Sequence, residues 1–364
     1  MIRLLIADDS ALMRKLLEGI FRDEGDFEIQ FARNGNEVLE LVRSFDPHVV
    51  TLDVQMPGLD GLSCLSQIMI EAPRPVVMIS SLTAEGAEAT LEAIDLGAVD
   101  FVAKPGGTIS LEIDRLRPLV VEKVRGAAKA RIRPTLRLSE RVRHQLRKTG
   151  VSRAARAPKL RKPKAAADPS GGIVLIGAST GGPAALDIVL PQIPKSFGWP
   201  IVVAQHMPAN FTAAFARRLD AICQLGVVEV NRPLPLQAGL IYIARGDADV
   251  VVTRRAAGLH AMPVPGKRDY PWHPSVERMV TSALDHYDPA QVIGVLMTGM
   301  GRDGADAMCQ VHVRGGRTIA EAESSAVVWG MPGELVKNGG ASLVRPVEDV
   351  AAAVVEWVEA DAVH

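Results

Sequence analysis

A chain of 364 residues, 48% hydrophobic and 23% charged, has the length for two or three globular domains, each able to bury a core. Its three cysteines, Cys64, Cys223 and Cys309, are too scattered for a disulfide framework or a metal-ligand spacing and suit a reducing compartment. The sequence lacks a run of about 18 apolar residues that would span a membrane, and the short N-terminal apolar run meets Asp8 and Asp9 at once, unlike a signal peptide. A cytoplasmic protein, not inserted in a membrane, is expected.

The net charge of −1 conceals three regions. Residues 1–122 hold 10 basic and 21 acidic side chains, residues 123–164 hold 16 Lys or Arg and one acid, Glu140, and the remainder holds 15 and 20. In the first region, apolar runs at 3–7, 49–52, 76–79 and 101–103 read as strands, while 12–21, 37–44 and 85–96 carry helical apolar spacing. Near-continuous apolar strands alternating with helices imply a parallel sheet covered on both faces. Residues 123–168 read as a flexible basic linker, in which Leu136, Leu138, Val142 and Leu146 line one side of a short helix. From Gly172 the β/α rhythm returns. Strands are predicted at 173–176, 201–204, 292–296 and 317–320, helices at 184–190 and near 213–219, and a hairpin from 240–243 and 250–253. The fold class is therefore α/β: two doubly wound parallel-sheet domains, 1–122 and 169–364, joined by a basic linker at 123–168.

In a parallel sheet the carboxyl ends of the strands share one edge, where ligands bind. Asp8 and Asp9 follow the first predicted strand, Asp53 ends the second, Ser80 follows the third and Lys104 the fourth. The fold thus gathers three carboxylates, a hydroxyl and an ammonium. Clustered carboxylates repel one another and suit a hard divalent cation such as Mg²⁺, which takes oxygen ligands. That cation also offsets charge when a phosphoryl group moves to a carboxylate nucleophile. Taken singly, each of these acids also reads as a solvated loop residue. Together, Asp8-Asp9, Asp53-x-x-Met56-Pro57-x-x-Asp60-Gly61, Ser80 and Lys104-Pro105 resemble the response-regulator receiver family, whose fold is flavodoxin-like. The resemblance implies Asp53 as phosphoacceptor, and Mg²⁺ on Asp9, Asp53 and the backbone carbonyl of Gln55, with Asp8 joining through water. It also implies Lys104 paired with the phosphoryl group, Ser80 as its sensor, Phe101 as a rotating aromatic switch, and a cis Lys104–Pro105 bond.

In the second domain, Gly177-Ala178-Ser179-Thr180-Gly181-Gly182 lies between a predicted strand and a helix. A dinucleotide loop needs G-x-G-x-x-G and an acid near the end of the next strand; this spacing differs, and the next strand ends in Gln205-His206. A general anion loop and a G-x-S-x-G nucleophile elbow both fit. A serine hydroxyl needs a base, and His206 follows the neighbouring predicted strand. Asp303, in the Gly-rich stretch 297–304, follows another strand and can fix the imidazole tautomer. The order Ser179, His206, Asp303 differs from the Ser, Asp, His order of α/β-hydrolases.

These residues, with Gln205-His206-Met207-Pro208, Pro274-Ser275-Val276 and Gly330-Met331-Pro332, resemble the catalytic domain of the chemotaxis methylesterase family, CheB, a Rossmann-like α/β serine hydrolase. The resemblance implies Ser179 as nucleophile, His206 as general base and acid, Asp303 as its orienter and the Met300 backbone N–H in the oxyanion hole. Its substrates are glutamate γ-methyl esters on the cytoplasmic domains of chemoreceptors, with deamidation of specific glutamines as a second activity. Hydrolysis needs no cofactor; Mg²⁺ belongs to the receiver. The implied phosphodonor is the chemotaxis histidine kinase, the receiver is implied to gate access to Ser179, and a monomer is expected. Glu277 and Glu321 stand where the family more often has Asp and Gln. The basic segment opens a second reading, a response regulator acting through nucleic-acid or protein binding. It comes without a helix-turn-helix pattern or an aromatic base platform, so nucleic acid is not expected as a partner.

Overall fold

This computed structural model describes residues 1–81, 83–104, 109–130 and 171–361, and for 109–115 the backbone alone. The chain divides into two compact units, Met1–Arg156 and Ala157–His364.

The first unit runs β1 (Ile2–Ala7), α1 (Ala11–Glu24), β2 (Phe27–Ala32), α2 (Gly35–Ser44), β3 (Val49–Asp53), α3 (Gly61–Glu71), β4 (Val76–Ser80), α4 (Ala84–Asp95), β5 (Asp100–Ala103) and α5 (Ile109–Ala128). Its strands form one parallel sheet in the order β2-β1-β3-β4-β5. β3 and β4 are buried along their whole length, as a sheet covered on both faces requires. The helices start where the sequence supplies a capping oxygen: Ser10, Asn34, Asp60 and Thr83 each accept a backbone N–H from the first turn. β2 and α3 are additional to the predicted elements. β2 is an edge strand whose Glu28 faces solvent, so it lacks an apolar run. α5 continues past residue 122 to Ala128 because Val124 and Ala127 pack into the core and Lys123 is paired there. The predicted short helix at 136–146 lies outside the described residues.

The second unit contains β6 (Ile173–Ala178), α6 (Gly182–Val189), β7 (Ile201–Gln205), α7 (Ala209–Ile222), β8 (Gly226–Val230), β9 (Leu234–Pro235), β10 (Leu240–Ala244), β11 (Ala248–Arg255), β12 (Gly258–Pro265), α8 (Val276–Leu284), β13 (Val292–Leu296), α9 (Ala305–Val313), β14 (Arg317–Glu321), α10 (Met331–Lys337), β15 (Leu343–Arg345) and α11 (Val347–Asp361). Seven strands form a parallel sheet in the order β15-β14-β13-β6-β7-β10-β8. A small antiparallel sheet has the order β11-β12-β9.

The predicted hairpin of 240–243 with 250–253 is wrong. β10 is a central parallel strand between β7 and β8, and β11 pairs instead with β12. The fully buried run from Ile241 to Ala244 belongs inside the large sheet, whereas β11 is half-buried at Val251 and Thr253 and exposed at Arg254 and Arg255. The chain leaves β6 toward β7 on one side and later returns to β13 on the other. The carboxyl end of β6 is therefore the switch point of this sheet, the crevice where open α/β sheets bind ligands.

Candidate active site and phosphoacceptor site

Ser179 is the first residue after β6, His206 the first after β7, and Asp303 lies in the loop that follows β13. Ala178 and Gln205 are register partners, so Ser179 and His206 emerge side by side. The backbone locks them there: His206 N–H donates to Ala178 O (3.0 Å), and the buried Gln205 amide donates to Ser179 O (2.9 Å) and His206 O (3.0 Å). On the other side, Ser179 N–H donates to Thr298 O (3.0 Å). A Cβ on Gly299 would stand 2.7 Å from Ser179 Cβ, so the absence of a side chain lets the 298–304 loop reach the serine.

His206 Nε2 lies 2.8 Å from Asp303 Oδ2. The other ring nitrogen, Nδ1, is buried and has no hydrogen-bond partner among the described residues. Asp303 is 7% exposed and is surrounded by donors. Val276 N–H (2.7 Å), Glu277 N–H (3.1 Å) and Ser275 Oγ–H (3.1 Å) all donate to it. These groups form the start of α8, whose N-terminus aims its free N–H groups at the carboxylate. Gly304, with φ +85°, leaves room for this approach, since a Cβ there would meet Val276 Cγ1 at 2.3 Å. Burial pushes the Asp303 carboxyl up, but the His206 bond and the α8 N–H groups outweigh it and hold the group below the usual carboxylate range.

Met300, whose N–H was expected in an oxyanion hole, follows Gly299 directly, and its N–H makes no backbone hydrogen bond among the described residues. The loop that carries it is held from behind by Glu321, which is 1% exposed. Glu321 accepts the Thr298 N–H (2.8 Å) and the Ser325 hydroxyl (2.9 Å). Burial raises its carboxyl above the usual range.

Two site features lay beyond the sequence reading. Asp249, fully buried on β11, accepts from Arg278 Nη1 (2.7 Å) and Ser275 N–H (2.8 Å) and pairs with His273 Nδ1 (2.8 Å). It thereby fastens the segment before α8. Trp272, next to His273, lies parallel to the His206 ring, with centroids 6.0 Å apart and planes 3° apart. The only signal for Asp249 was a lone acid within an apolar strand, a placement that needs buried partners.

In the first unit, Asp8, Asp9 and Asp53 each offer an oxygen within 4.8 Å of the others. Lys104 Nζ lies 2.7 Å from Asp53 Oδ2 and 3.0 Å from Asp8 Oδ2. Burial raises the Asp53 carboxyl despite this ammonium; for Lys104, burial opposes the charge, but the two carboxylates raise it on balance. Asp8 is fully buried, and the Lys104 ammonium is the charge that faces its Oδ2. An all-oxygen, triply acidic set fits a hard divalent cation. Gln55 and Ser81 line a cavity with Asp53 and Lys104. Ser80 is fully buried and donates to Gly86 O at 3.0 Å on the first turn of α4. Phe101 is 2% exposed, with Lys123 Nζ 5.2 Å from its ring centroid and bonded to Asp100 at 2.6 Å. The expected cis Lys104–Pro105 bond lies outside the described residues; the cis peptide among them is His273–Pro274.

Residues 4–113 match the response regulator receiver domain and residues 174–354 match CheB methylesterase. Over all 364 residues the chain is 66% identical to a protein-glutamate methylesterase/protein-glutamine glutaminase of Rhodopseudomonas palustris, covering 100% of both chains. The chain belongs to the CheB methylesterase family. A second member, from Rhodospirillum rubrum, is 53% identical over 98% of this chain and 96% of its own. The crystal structure of the Thermotoga maritima CheB methylesterase catalytic domain aligns with 51% of this chain and 98% of its own, at 36% identity and a TM-score of 0.50. The matches span both predicted domains, so the CheB resemblance read from the motifs holds for the whole chain.

Proposed function

We propose that this CheB-family chain hydrolyses glutamate γ-methyl esters on chemoreceptors during chemotaxis adaptation, and deamidates specific receptor glutamines, under control of phosphorylation at Asp53. The observation that carries the reading is the buried His206–Asp303 pair at 2.8 Å beside Ser179 at the sheet switch point. Family membership over the full chain supports the substrate class.

The geometry supports a division of labour. Asp303 binds Nε2, so Nδ1 is the nitrogen left to take the proton from Ser179 Oγ as that oxygen attacks the ester carbonyl. The carbonyl oxygen becomes an oxyanion, whose stabilisation we assign to the Met300 N–H. Imidazolium then gives its proton to the methoxy oxygen, methanol leaves, and an acyl-Ser179 ester remains. Water, deprotonated by Nδ1, cleaves that ester, returning Ser179 and releasing the glutamate carboxylate. A glutamine amide follows the same path with ammonia as the leaving group. Asp303, held ionised by its donors, keeps the proton on Nε2 and stabilises the imidazolium.

In the receiver, Asp8, Asp9, Asp53 and the Gln55 carbonyl are the residues that would hold Mg²⁺, which supplies charge neutralisation for phosphoryl transfer when bound. Asp53 is the acceptor, Lys104 the cationic partner of the added phosphoryl group, and Ser80 and Phe101 the responding side chains. The partners we assign are methylated receptor cytoplasmic domains and a chemotaxis histidine kinase. The deciding experiment is methanol release from a methylated receptor fragment, with and without a small phosphodonor and Mg²⁺. Release that Ser179→Ala leaves unchanged overturns the covalent mechanism.

A further inference from the structure

We propose that Trp272 is a positioning residue for ester hydrolysis, acting through His206. The inference rests on the hydrolase reading above and extends it to a residue outside the triad.

The need arises from how lightly the imidazole is held. Its backbone is fixed by the bond to Ala178 O, but its ring has a single hydrogen bond, from Nε2 to Asp303, and Nδ1 is unpartnered among the described residues. One hydrogen bond leaves a planar ring free to pivot about the N···O line. Such a pivot swings Nδ1 away from the serine while Nε2 stays bound. Small losses of alignment between base and nucleophile are costly in rate.

The indole of Trp272 supplies the missing restraint. It lies parallel to the imidazole, 3° from coplanar, at a centroid separation of 6.0 Å. That is an offset stack within the favoured range for aromatic pairs. A ring stacked on one face resists a pivot in a way that an in-plane hydrogen bond does not. The indole also rests on the loop of Asp303 and Met300: a Cβ on Gly301 would come within 3.0 Å of Trp272 Cζ2. Trp272 thus bridges the His206 loop and the oxyanion loop.

Nor is it a loosely tethered surface aromatic. His273, the next residue, is bonded through Nδ1 to the buried Asp249, which Arg278 Nη1 and the Ser275 N–H also engage. Ser275 in turn donates to Asp303. The segment 272–276 therefore carries the indole on one face of His206 and the helix N–H groups to its acid partner. A single anchored strap sets two of the restraints on the catalytic base.

An alternative role is a wall that touches the receptor helix. The two differ in what they move. A wall changes KM for the receptor and leaves reaction with a small reagent alone. A positioning residue lowers kcat and slows any reaction that needs the Ser179–His206 pair. In the full-length protein, Trp272→Leu and Trp272→Phe are compared with wild type. The readouts are methanol release from a methylated receptor fragment and the labelling rate of Ser179 by a small fluorophosphonate. An aromatic stack is worth up to about 10-fold in rate. Trp272→Leu is expected to lower kcat and the labelling rate by about that factor with little change in KM, and Trp272→Phe to restore most of both. A raised KM with unchanged kcat, or unchanged labelling in Trp272→Leu, overturns the inference. Failure of the methylesterase reading is distinguishable: wild type would then label at Ser179 but release no methanol.

Discussion

Asp303 concentrates the chemistry of the site in one side chain. It accepts four hydrogen bonds while 7% exposed, and its low pKa follows from them. Asp303→Asn keeps the shape but offers an amide to Nε2, favouring the tautomer with the proton on Nδ1, where it blocks acceptance from Ser179. The expected loss in kcat is about 10⁴-fold, as in other triads, measured by methanol release; a loss below about 10-fold would remove Asp303 from the proposed triad. Glu321 presents the opposite electrostatics. Its folded pKa is raised by burial, so the stability it contributes is full below the unfolded value of about 4.3 and is lost as pH rises through the folded value. Glu321→Gln cannot ionise. Its Tm, compared with wild type by thermal melts, should gain as pH rises from about 4 to about 8; a constant difference across that range sinks the prediction. At this scale the residues of the proposed triad could be singled out in the sequence because Ser179, His206 and Asp303 each follow an apolar strand. Asp249 and Trp272 could not, because their meaning lies in partners, Arg278 and His206, that only the tertiary fold supplies.

Among the elements, α8 links the small sheet to the active site. Its N-cap, Ser275, accepts the Arg278 N–H at 3.2 Å and donates to Asp303 at 3.1 Å. Ser275→Ala removes the cap and one of four donors to the carboxylate. The expected cost is about 1–2 kcal/mol of stability by denaturant unfolding. The effect on kcat should be much smaller than that of Asp303→Asn, because Val276 and Glu277 still donate. A Ser275→Ala enzyme as inactive as Asp303→Asn would mean that the cap hydroxyl, not the helix backbone, orders the acid. Element reading from sequence succeeded where strands are buried on both faces, as in β3, β4, β6 and β7. It failed at β2, whose edge position permits Glu28 and Gln30. It also failed at the supposed hairpin, because two adjacent apolar strands do not reveal whether they pair with each other or with strands remote in sequence.

For the whole molecule the question is how Asp53 influences Ser179. The two residues lie in separate compact units, and the coupling we propose is a shift between two states of the protein. The receiver has a candidate two-state element. Ser80 is bonded to Gly86 O at the start of α4, and Phe101 is buried beneath Lys123. In the switch we propose, a phosphoryl group on Asp53 adds charge beside Lys104 and draws the Ser80 hydroxyl from Gly86, freeing α4 and the Phe101 environment to rearrange. If the unphosphorylated receiver inhibits the hydrolase, phosphorylation raises the rate by at most the inverse of the active fraction. A catalytic domain of this family has been crystallised on its own, so a fragment beginning near Ala167 is a fair test object. It should release methanol faster than the unphosphorylated full-length chain. Full-length protein given a small phosphodonor and Mg²⁺ should approach the fragment, and Asp53→Ala should stay at the basal rate with or without phosphodonor. Equal rates for the fragment and the unphosphorylated chain would show that the receiver does not inhibit. Phosphorylation would then have to act by recruiting the receptor, and its effect would appear in KM rather than kcat.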